Sequence, residues 1–513
     1  MWIPVFVLWG PNSFSSPHQA EVSMNQVDSA DSERIVEAIT GILPVLEEFY
    51  KFEGPDEAAL RCAEWKAKLD VDLPEKGEGL NSVLNDLRDT VIPNGLRNGH
   101  PGFSGWVTTS PTTSGTAAHL ASAMAGSQRV WVQAFNFLEK VSLRWLAELL
   151  GISAQWGATY TSGGSSANLV GLGAARQWAV EQIGVDPSMT GLPDGVEWRI
   201  YASAEVHHVV NRAAAVLGIG RRSVVGIPVT SDHVLDINIL RQRLAEDAVK
   251  GIRPMALVAT AGTVNMGTVD PISEMADLAE EYGAWLHIDG AYGMFGRLDD
   301  RVRHLYDGIE RADSVAADPH KWLAAPLGNG VTFVRDIHIL RRTFTLEPAS
   351  YLEGSAIPDA PRSPFDNFGE AYHDLSVDQS AASRGVAVWA ILKEMGIEGI
   401  KDRIIRHNSF ARLQAELASA DPKLELLSTP VLSICCFRYN DGTLSESRLT
   451  DLNTRIAADL RAESNYVPST TMVDGRYAIR PCYINPRNRE EDVRGLAKRV
   501  RELGDELCHS SQF

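Results

Sequence analysis

Two stretches of sequence, His287-Ile-Asp-Gly-Ala-Tyr-Gly293 and Asp318-Pro-His-Lys-Trp-Leu323, decide how this chain folds. Short apolar runs at 284–289 and 314–317 end in the first stretch and just before the second, and each run predicts a buried β-strand. In open parallel sheets, ligands bind at the carboxyl ends of strands. We therefore expect Asp289 and Lys321 to face one crevice.

The surrounding sequence alternates apolar runs with helical patterns, which is typical of parallel strands joined by crossover helices. Two further strands are predicted at 199–203 and 255–260, and a helix at 273–282. The fold class predicted for this part is therefore α/β with a mostly parallel sheet.

The flanking segments have a different character. Apolar residues from Ser32 onward recur at helical spacing and predict an amphipathic helix, and residues 74–79 and 93–105 predict turn-rich connections. Residues 342–374 are rich in proline and glycine and predict a long functional loop. After it come a helical pattern at 386–395, strand-like runs at 431–439 and 476–480, and a closing helical pattern at 490–507.

These patterns predict four parts of the chain. Residues 1–23 are expected to be a disordered or non-native extension, with Met24 as an alternative start. Residues 24–105 form a helical segment, residues 106–385 a large α/β domain, and residues 386–513 a small α+β domain. We find no internal repeat.

Composition narrows the class of protein. The chain has 513 residues, 44% of them hydrophobic and 22% charged, as expected for a globular protein of two or three structural units. A formal charge of -18 argues against nucleic acid or a membrane surface as the main partner. The five cysteines form no CxxC pair, so we expect no metal site. The apolar opening at 1–9 is too short to span a bilayer and no other long apolar run occurs, so we expect a reducing, cytoplasmic location.

The chemistry of Lys321 and Asp289 indicates a cofactor. A desolvated lysine amine can condense with an aldehyde, and a buried aspartate needs a cationic partner such as a protonated pyridine nitrogen. An aldehyde and a pyridinium occur together in pyridoxal phosphate. A lysine alone is more often a solvated surface residue, so the order and context of the motifs carry this interpretation.

Two other segments fit the same cofactor. Thr161-Ser-Gly-Gly-Ser-Ser-Ala-Asn168 precedes a helical pattern, and a glycine-rich helix start offers free amides to a phosphate, although such a stretch is more often a plain helix cap. His207 and His208 follow the predicted strand at 199–203. Either ring could lie on an aromatic ring, whereas a single histidine is more often structural.

In combination, from about His100 to the C-terminal helix, these motifs resemble the group II pyridoxal-phosphate-dependent amino-acid decarboxylases, which have the aspartate-aminotransferase fold, or fold type I. This resemblance assigns roles to the following residues: Lys321 as the Schiff-base lysine, Asp289 as the pyridinium partner, His207 as the stacked histidine, His320 as a substrate contact, Gly164 and Ser165 as phosphate ligands, and Ala291 beneath the ring.

The resemblance extends toward the C-terminus. Tyr351 matches the mobile-loop tyrosine that protonates the substrate carbon, and Arg480 matches the arginine that binds a substrate carboxylate. Thr263 matches a cofactor-binding threonine, but Val264 follows where family members often have a second threonine. Trp106 matches the family's aromatic wall, whereas Ser127 replaces a phenylalanine.

The resemblance implies a homodimer that decarboxylates an L-amino acid to an amine. Aromatic substrates are favoured by Trp106 and Phe103, while Arg129 leaves an acidic substrate open. Aldehyde formation or carbon-carbon lysis on the same cofactor are alternatives, and a non-catalytic binding protein is a weaker one because both Lys321 and Asp289 are present. A nucleotide-binding dehydrogenase is weaker still, since no GxGxxG follows an early strand.

Overall fold

The computed structural model describes residues 25–51, 61–127, 133–345, 372–463 and 466–509. The chain divides into two compact units, one made of residues 1–48 and 63–95 and the other of residues 49–62 and 96–513. Within the described ranges, no helix is long and apolar enough to cross a membrane. The predicted domain limits at 105 and 385 stay a prediction.

The first unit is helical. Its helices are α1 (Asn25–Leu46), most of α2 (Cys62–Leu69) and α3 (Leu80–Asp86), followed by a π-helical turn at Leu87–Val91. Lys68 donates a hydrogen bond from Nζ to Thr90 Oγ1 at 2.5 Å and lies 3.6 Å from Asp86 Oδ1. These contacts hold α2 against the end of α3 and the turn that follows it.

The second unit contains a seven-stranded sheet. In chain order its strands are β2 (Gly157–Thr161), β3 (Trp198–Ser203), β4 (Val224–Ile227), β5 (Arg253–Thr260), β6 (Trp285–Gly290), β7 (Ser314–Ala317) and β8 (Gly330–Val334), and β1 (Phe103–Ser104) belongs to another sheet. The spatial order is β2-β8-β7-β6-β5-β3-β4. All neighbours are parallel except for the two pairings of β8, which are antiparallel.

Helices accompany this sheet, and some of them connect its consecutive parallel strands. They are α4 (Thr113–Met124), α5 (Gln133–Leu150), α6 (Gly164–Glu181), α7 (Pro187–Thr190), α8 (Val209–Val216), α9 (Ile237–Val249), α10 (Ile272–Tyr282) and α11 (Ile337–Phe344). The strands β5, β6 and β7 are almost entirely buried, as expected for a parallel sheet with both faces covered.

The C-terminal part forms a five-stranded sheet. Its strands are β9 (Leu424–Ser428), β10 (Cys436–Tyr439), β11 (Val467–Val473) and β12 (Arg476–Arg480), joined by β1 in the order β1-β11-β12-β10-β9. Three helices accompany it: α12 (Gly385–Ala420), α13 (Glu446–Glu463) and α14 (Glu490–His509). Only the pairing of β1 with β11 is parallel.

The predicted elements of the α/β part are confirmed, with end shifts of one or two residues. Outside the α/β part, three of the predicted element boundaries were wrong. Residues 342–344 belong to helix α11, whose last turn is held by hydrogen bonds from Thr343 Oγ1 to the Ile339 carbonyl at 2.7 Å and from the Thr345 amide to the Arg341 carbonyl at 2.8 Å. The run at 431–439 is a strand only from Cys436, and β1 interrupts the connection predicted at 93–105.

Candidate active site

A cavity of about 730 Å³ opens at the carboxyl ends of the parallel strands. Its wall includes Asp289, at the end of β6, and Lys321, four residues beyond the end of β7. Because β6 and β7 are adjacent and parallel, their ends bring these two side chains to one edge of the sheet. The predicted crevice is therefore present.

Lys321 lies in a tight turn that follows β7. Its amide donates to the carbonyl of Asp318 at 3.0 Å, and its Nζ lies 3.3 Å from Asp318 Oδ2. Asp318 is only 1% exposed, and neither of its carboxylate oxygens has a hydrogen-bond partner in the described part of the chain. Among the described residues, Lys321 is thus the basic side chain nearest to this buried carboxyl group.

His320 precedes the lysine and borders the same cavity. Its Nδ1 lies 2.8 Å from the carbonyl oxygen of Asn329, and its Nε2 lies 3.8 Å from Asp318 Oδ2. The carbonyl can only accept, so Nδ1 carries hydrogen. The ring is consequently held in one orientation.

Asp289 is 5% exposed, and its Oδ1 accepts a hydrogen bond from the amide of Ala291 at 3.2 Å. Its remaining acceptor capacity is available to a cationic group in the cavity. His207 and Ala291 also line the cavity, and burial and the neighbouring His208 lower the pKa of His207. The His207 and His208 ring centroids are 4.1 Å apart, and the two ring planes are tilted by 36°.

The glycine-rich segment leads from β2 into α6 at the cavity wall. Gly163, Gly164 and Ser165 all line the cavity, and the first-turn amides of a helix have no intrahelical acceptor. A Cβ on Gly164 would lie 2.6 Å from Asp318 Oδ2, so a larger residue does not fit there. This arrangement offers free amides and a positive helix end to an anion.

Two predicted residues are engaged by other parts of the protein. Thr263 is 1% exposed and its hydroxyl is 2.8 Å from the hydroxyl of Thr268; the cavity wall contains its neighbours Gly262 and Val264 instead. The structure therefore does not bring the Thr263 side chain to the cavity surface. Its assignment as a cofactor ligand stays a prediction.

Arg480 lines the cavity, but most of its guanidinium hydrogens donate hydrogen bonds to other protein groups. Its guanidinium donates to the Asn265 carbonyl at 2.9 Å, to the Trp106 carbonyl at 3.0 Å, to Ser469 Oγ at 3.0 Å and also to the Val264 carbonyl. These four bonds leave one of the five guanidinium hydrogens for a substrate carboxylate.

The predicted aromatic wall is only partly formed. Trp106 is 56% exposed and lines the cavity, and the Phe103 ring packs behind it with centroids 6.2 Å apart. Ser127 is buried, its carbonyl accepts a hydrogen bond from the Ser383 amide at 3.1 Å, and neither residue lines the cavity. Tyr351 and Arg129 lie outside the described residues.

Sequence reasoning assigned no role to two buried polar residues beside the site, His287 and Asp318. The signal for His287 was its position two residues before Asp289, because alternate residues of a strand share a face. The signal for Asp318 was its spacing of three residues from Lys321 in a turn. Among the described residues, no cluster of three or more potential metal ligands is found.

The residues around the cavity fit pyridoxal phosphate. Lys321 would supply an amine, Asp289 a buried carboxylate for a pyridinium, and the start of α6 a cradle for a phosphate, where a Cβ at Gly164 would collide with Asp318. The fold and this set of residues define a pyridoxal-phosphate enzyme of fold type I.

Comparison with known proteins identifies the family. The model described as "Pyridoxal-dependent decarboxylase conserved domain" matches residues 63–440, and the chain belongs to this family of amino-acid decarboxylases, which are carboxy-lyases. An aromatic-L-amino-acid decarboxylase of Bacillus atrophaeus is 29% identical over 86% of this chain and 89% of that protein. An L-2,4-diaminobutyrate decarboxylase of Rhizobium meliloti (strain 1021) is 29% identical over 85% of this chain and 84% of that protein.

Solved structures agree on the fold. The structure of Oryza sativa TDC with PLP and tryptamine aligns with a TM-score of 0.79 at 23% identity, covering 96% of this chain and 100% of that one. The apo form of mouse CSAD aligns with a TM-score of 0.81 at 23% identity, covering 92% and 99%. The predicted fold type is confirmed.

Proposed function

We propose that this enzyme converts an aromatic L-amino acid into its primary amine and carbon dioxide, with Lys321 holding the cofactor covalently. The observation that carries this proposal is the meeting of Lys321 and Asp289 at the ends of adjacent parallel strands in one cavity. When bound, pyridoxal phosphate supplies an aldehyde that condenses with amines and a conjugated ring that accepts electrons as a carboxylate leaves.

The chain's own residues then have separate tasks. Asp289 is proposed to pair with the ring nitrogen, because a carboxylate that is 5% exposed stabilises a cation strongly. His207 is proposed to lie against the ring face and Ala291 beneath it. Burial and the neighbouring His208 lower the pKa of His207, which favours the neutral imidazole beside the pyridinium.

Gly164 and Ser165 are proposed to bind the phosphate through the first turn of α6. His320 is proposed to contact substrate through Nε2, because its Nδ1 is occupied by the Asn329 carbonyl. Tyr351 is proposed, from the family resemblance, to deliver a proton to the substrate carbon after carbon dioxide leaves. Thr263 remains a proposed contributor to the cofactor side of the site.

The substrate class rests on two kinds of support. Trp106 offers an exposed indole to the cavity, and aromatic rings favour stacked or edge contacts with one another. Relatives carry names such as aromatic-L-amino-acid decarboxylase and tryptophan decarboxylase. Arg480 is proposed to contribute its one remaining donor to the substrate carboxylate.

Assembly and location are also proposals. The family resemblance supports a homodimer with small-molecule substrates and no nucleic-acid or membrane partner. All five cysteines are free thiols, which supports a reducing, cytoplasmic location.

The deciding experiment is product analysis by mass spectrometry on a panel of aromatic, acidic and cationic L-amino acids. We expect amine from aromatic substrates, and preferential turnover of an acidic or cationic amino acid would overturn the aromatic assignment. One relative is named 4-hydroxyphenylacetaldehyde synthase, so aldehyde should be quantified in the same reactions. Tyr351→Phe should slow amine release and increase aldehyde in air, and an unchanged product ratio and rate would remove Tyr351 from the proton-donor role.

A further inference from the structure

A chain of buried hydrogen bonds runs behind the cavity from β6 and β7 to the start of α6. The Trp285 indole Nε1 is 2.7 Å from Ser314 Oγ, which is 2.7 Å from His287 Nδ1. His287 Nε2 is 2.9 Å from Asn168 Oδ1, and Asn168 Nδ2 is 2.8 Å from the Gly164 carbonyl. His287, Ser314 and Asn168 are each fully buried.

The direction of these hydrogen bonds is fixed by the Gly164 carbonyl, which can only accept. Asn168 Nδ2 therefore donates to it, and Asn168 Oδ1 faces His287 Nε2 and accepts the hydrogen that Nε2 carries. In the neutral ring Nδ1 then accepts, and the Ser314 hydroxyl donates to it. The Ser314 oxygen in turn accepts from the Trp285 indole N–H, which can only donate.

The packing around His287 reinforces this arrangement. The ring lies against the backbone of α6, because a Cβ on Gly171 would lie 2.6 Å from His287 Cε1. Burial lowers the pKa of His287 to about 4, so the ring is neutral at physiological pH. His287 is also two residues before Asp289 on β6.

This chain of hydrogen bonds ends at a peptide group that borders the cavity. The Gly164 carbonyl belongs to the peptide whose N–H is that of Ser165, in the first turn of α6 at the cavity wall. Donation to a peptide carbonyl polarises the same peptide and strengthens its N–H as a donor. An anion at the start of α6 would therefore be held more firmly while Asn168 donates to Gly164.

We propose that His287 is a positioning residue for the cofactor phosphate, acting through Asn168 on the peptide between Gly164 and Ser165. The proposal rests on the proposed phosphate site at the start of α6. According to this proposal, strand β6 holds both ends of the cofactor. Asp289 contacts the ring nitrogen directly, and His287 acts on the phosphate indirectly.

Thr332 provides a matched control for this test. Thr332 on β8 donates from Oγ1 to the Ala167 carbonyl at 2.9 Å, so it is a second buried donor to the same turn of α6. The peptide that it polarises carries the Asn168 N–H, which lies inside the helical ladder and not at its open end. Thr332→Val should therefore weaken the helix without loosening a bound phosphate.

The test compares holoenzymes of the wild type, Ser314→Ala, His287→Gln and Thr332→Val. The cofactor dissociation rate is measured by transfer to an excess apo-acceptor, the phosphate environment by the ³¹P NMR shift of the bound cofactor, and stability by Tm. We expect Ser314→Ala and His287→Gln to release cofactor on the order of 10-fold faster or more, with a moved ³¹P signal. Thr332→Val should stay within about twofold of the wild type at a similar loss in Tm.

The outcomes separate the possible failures. If Ser314→Ala lowers Tm but leaves the release rate and the ³¹P signal unchanged, His287 is merely structural and the proposal is overturned; equal acceleration in Thr332→Val overturns it as well. Should His287→Gln fail to fold, Ser314→Ala decides alone, because it removes one oxygen and no bulk. A wild type that binds no cofactor would contradict the proposed function instead.

Discussion

The buried imidazole of His287 makes a specific contribution to how stability depends on pH. Burial lowers its pKa in the folded protein from 6.5 to about 4. Between these values the unfolded chain binds a proton that the folded chain does not, so stability falls as pH drops through this window and is fully present above it. A pKa difference of one between the folded and unfolded states corresponds to about 1.36 kcal/mol of stability. The loss of stability from His287 therefore reaches about 3 kcal/mol at pH values well below 4.

Most of this loss falls between pH 7.5 and pH 5. With these two pKa values, linkage gives about 2 kcal/mol of destabilisation from His287 between pH 7.5 and pH 5. The buried carboxyl of Asp270 acts in the opposite direction, because burial raises its pKa to about 6. Its contribution is present below its ordinary pKa and is lost as pH rises through 6, so the two residues partly cancel in the wild type.

The assay therefore measures the difference between two proteins in how the free energy of unfolding depends on pH. Urea denaturation at pH 7.5 and pH 5 is compared for the wild type and His287→Gln, which keeps polar atoms at the site but does not titrate. The wild type should lose about 2 kcal/mol more than the variant on acidification, since Asp270 contributes equally to both. Parallel pH dependence in the two proteins would refute the assignment of a neutral, proton-excluding His287.

Three further predictions concern the cavity. Borohydride reduction of the holoenzyme should fix the cofactor mass on the peptide that contains Lys321, and a label on another lysine would reject that residue as the attachment point. Asp289→Asn should retain cofactor absorbance but lose on the order of 100-fold or more in turnover, because a preorganised charge is removed; near-normal turnover would exclude the pyridinium role. Arg480→Lys should lower the free energy of unfolding by about 2 to 3 kcal/mol, since several buried hydrogen bonds are lost, and should also raise KM; unchanged stability would show that these bonds do not support the cavity wall.

The α/β part could be predicted from sequence because its strands are buried on both faces and so appear as continuous apolar runs. The same rule failed at 431–435, which is apolar but is not a strand. There the Ser433 amide donates to the Tyr292 hydroxyl at 3.1 Å, a tertiary contact that no local pattern reveals. The helix predicted at 386–395 continues to Ala420 past a break at Gly396, whose φ is 62°.

The site was predictable to the extent that residue type and chain position limited the chemistry. Lys321 and Asp289 follow directly from strand ends, whereas the relay through His287 depends on Ser314 and Asn168, which are distant in sequence. The partners of Arg480 are also distant in sequence, so the sequence alone could not predict its hydrogen bonds. Long-range polar contacts of this kind leave no periodic signal.

Arg480 has a consequence for how the cavity recognises substrate. Its guanidinium bonds three separate segments of the cavity wall, at Trp106, at Val264 and Asn265, and at Ser469. Trp106 has a positive φ of 49°, an uncommon conformation for a bulky residue, and the bond from Arg480 to its carbonyl helps to hold it. The exposed indole is therefore set in place by a buried charge on β12. A change at Arg480 would alter the shape of the substrate end of the cavity as well as any carboxylate contact, so substrate preference and stability should change together.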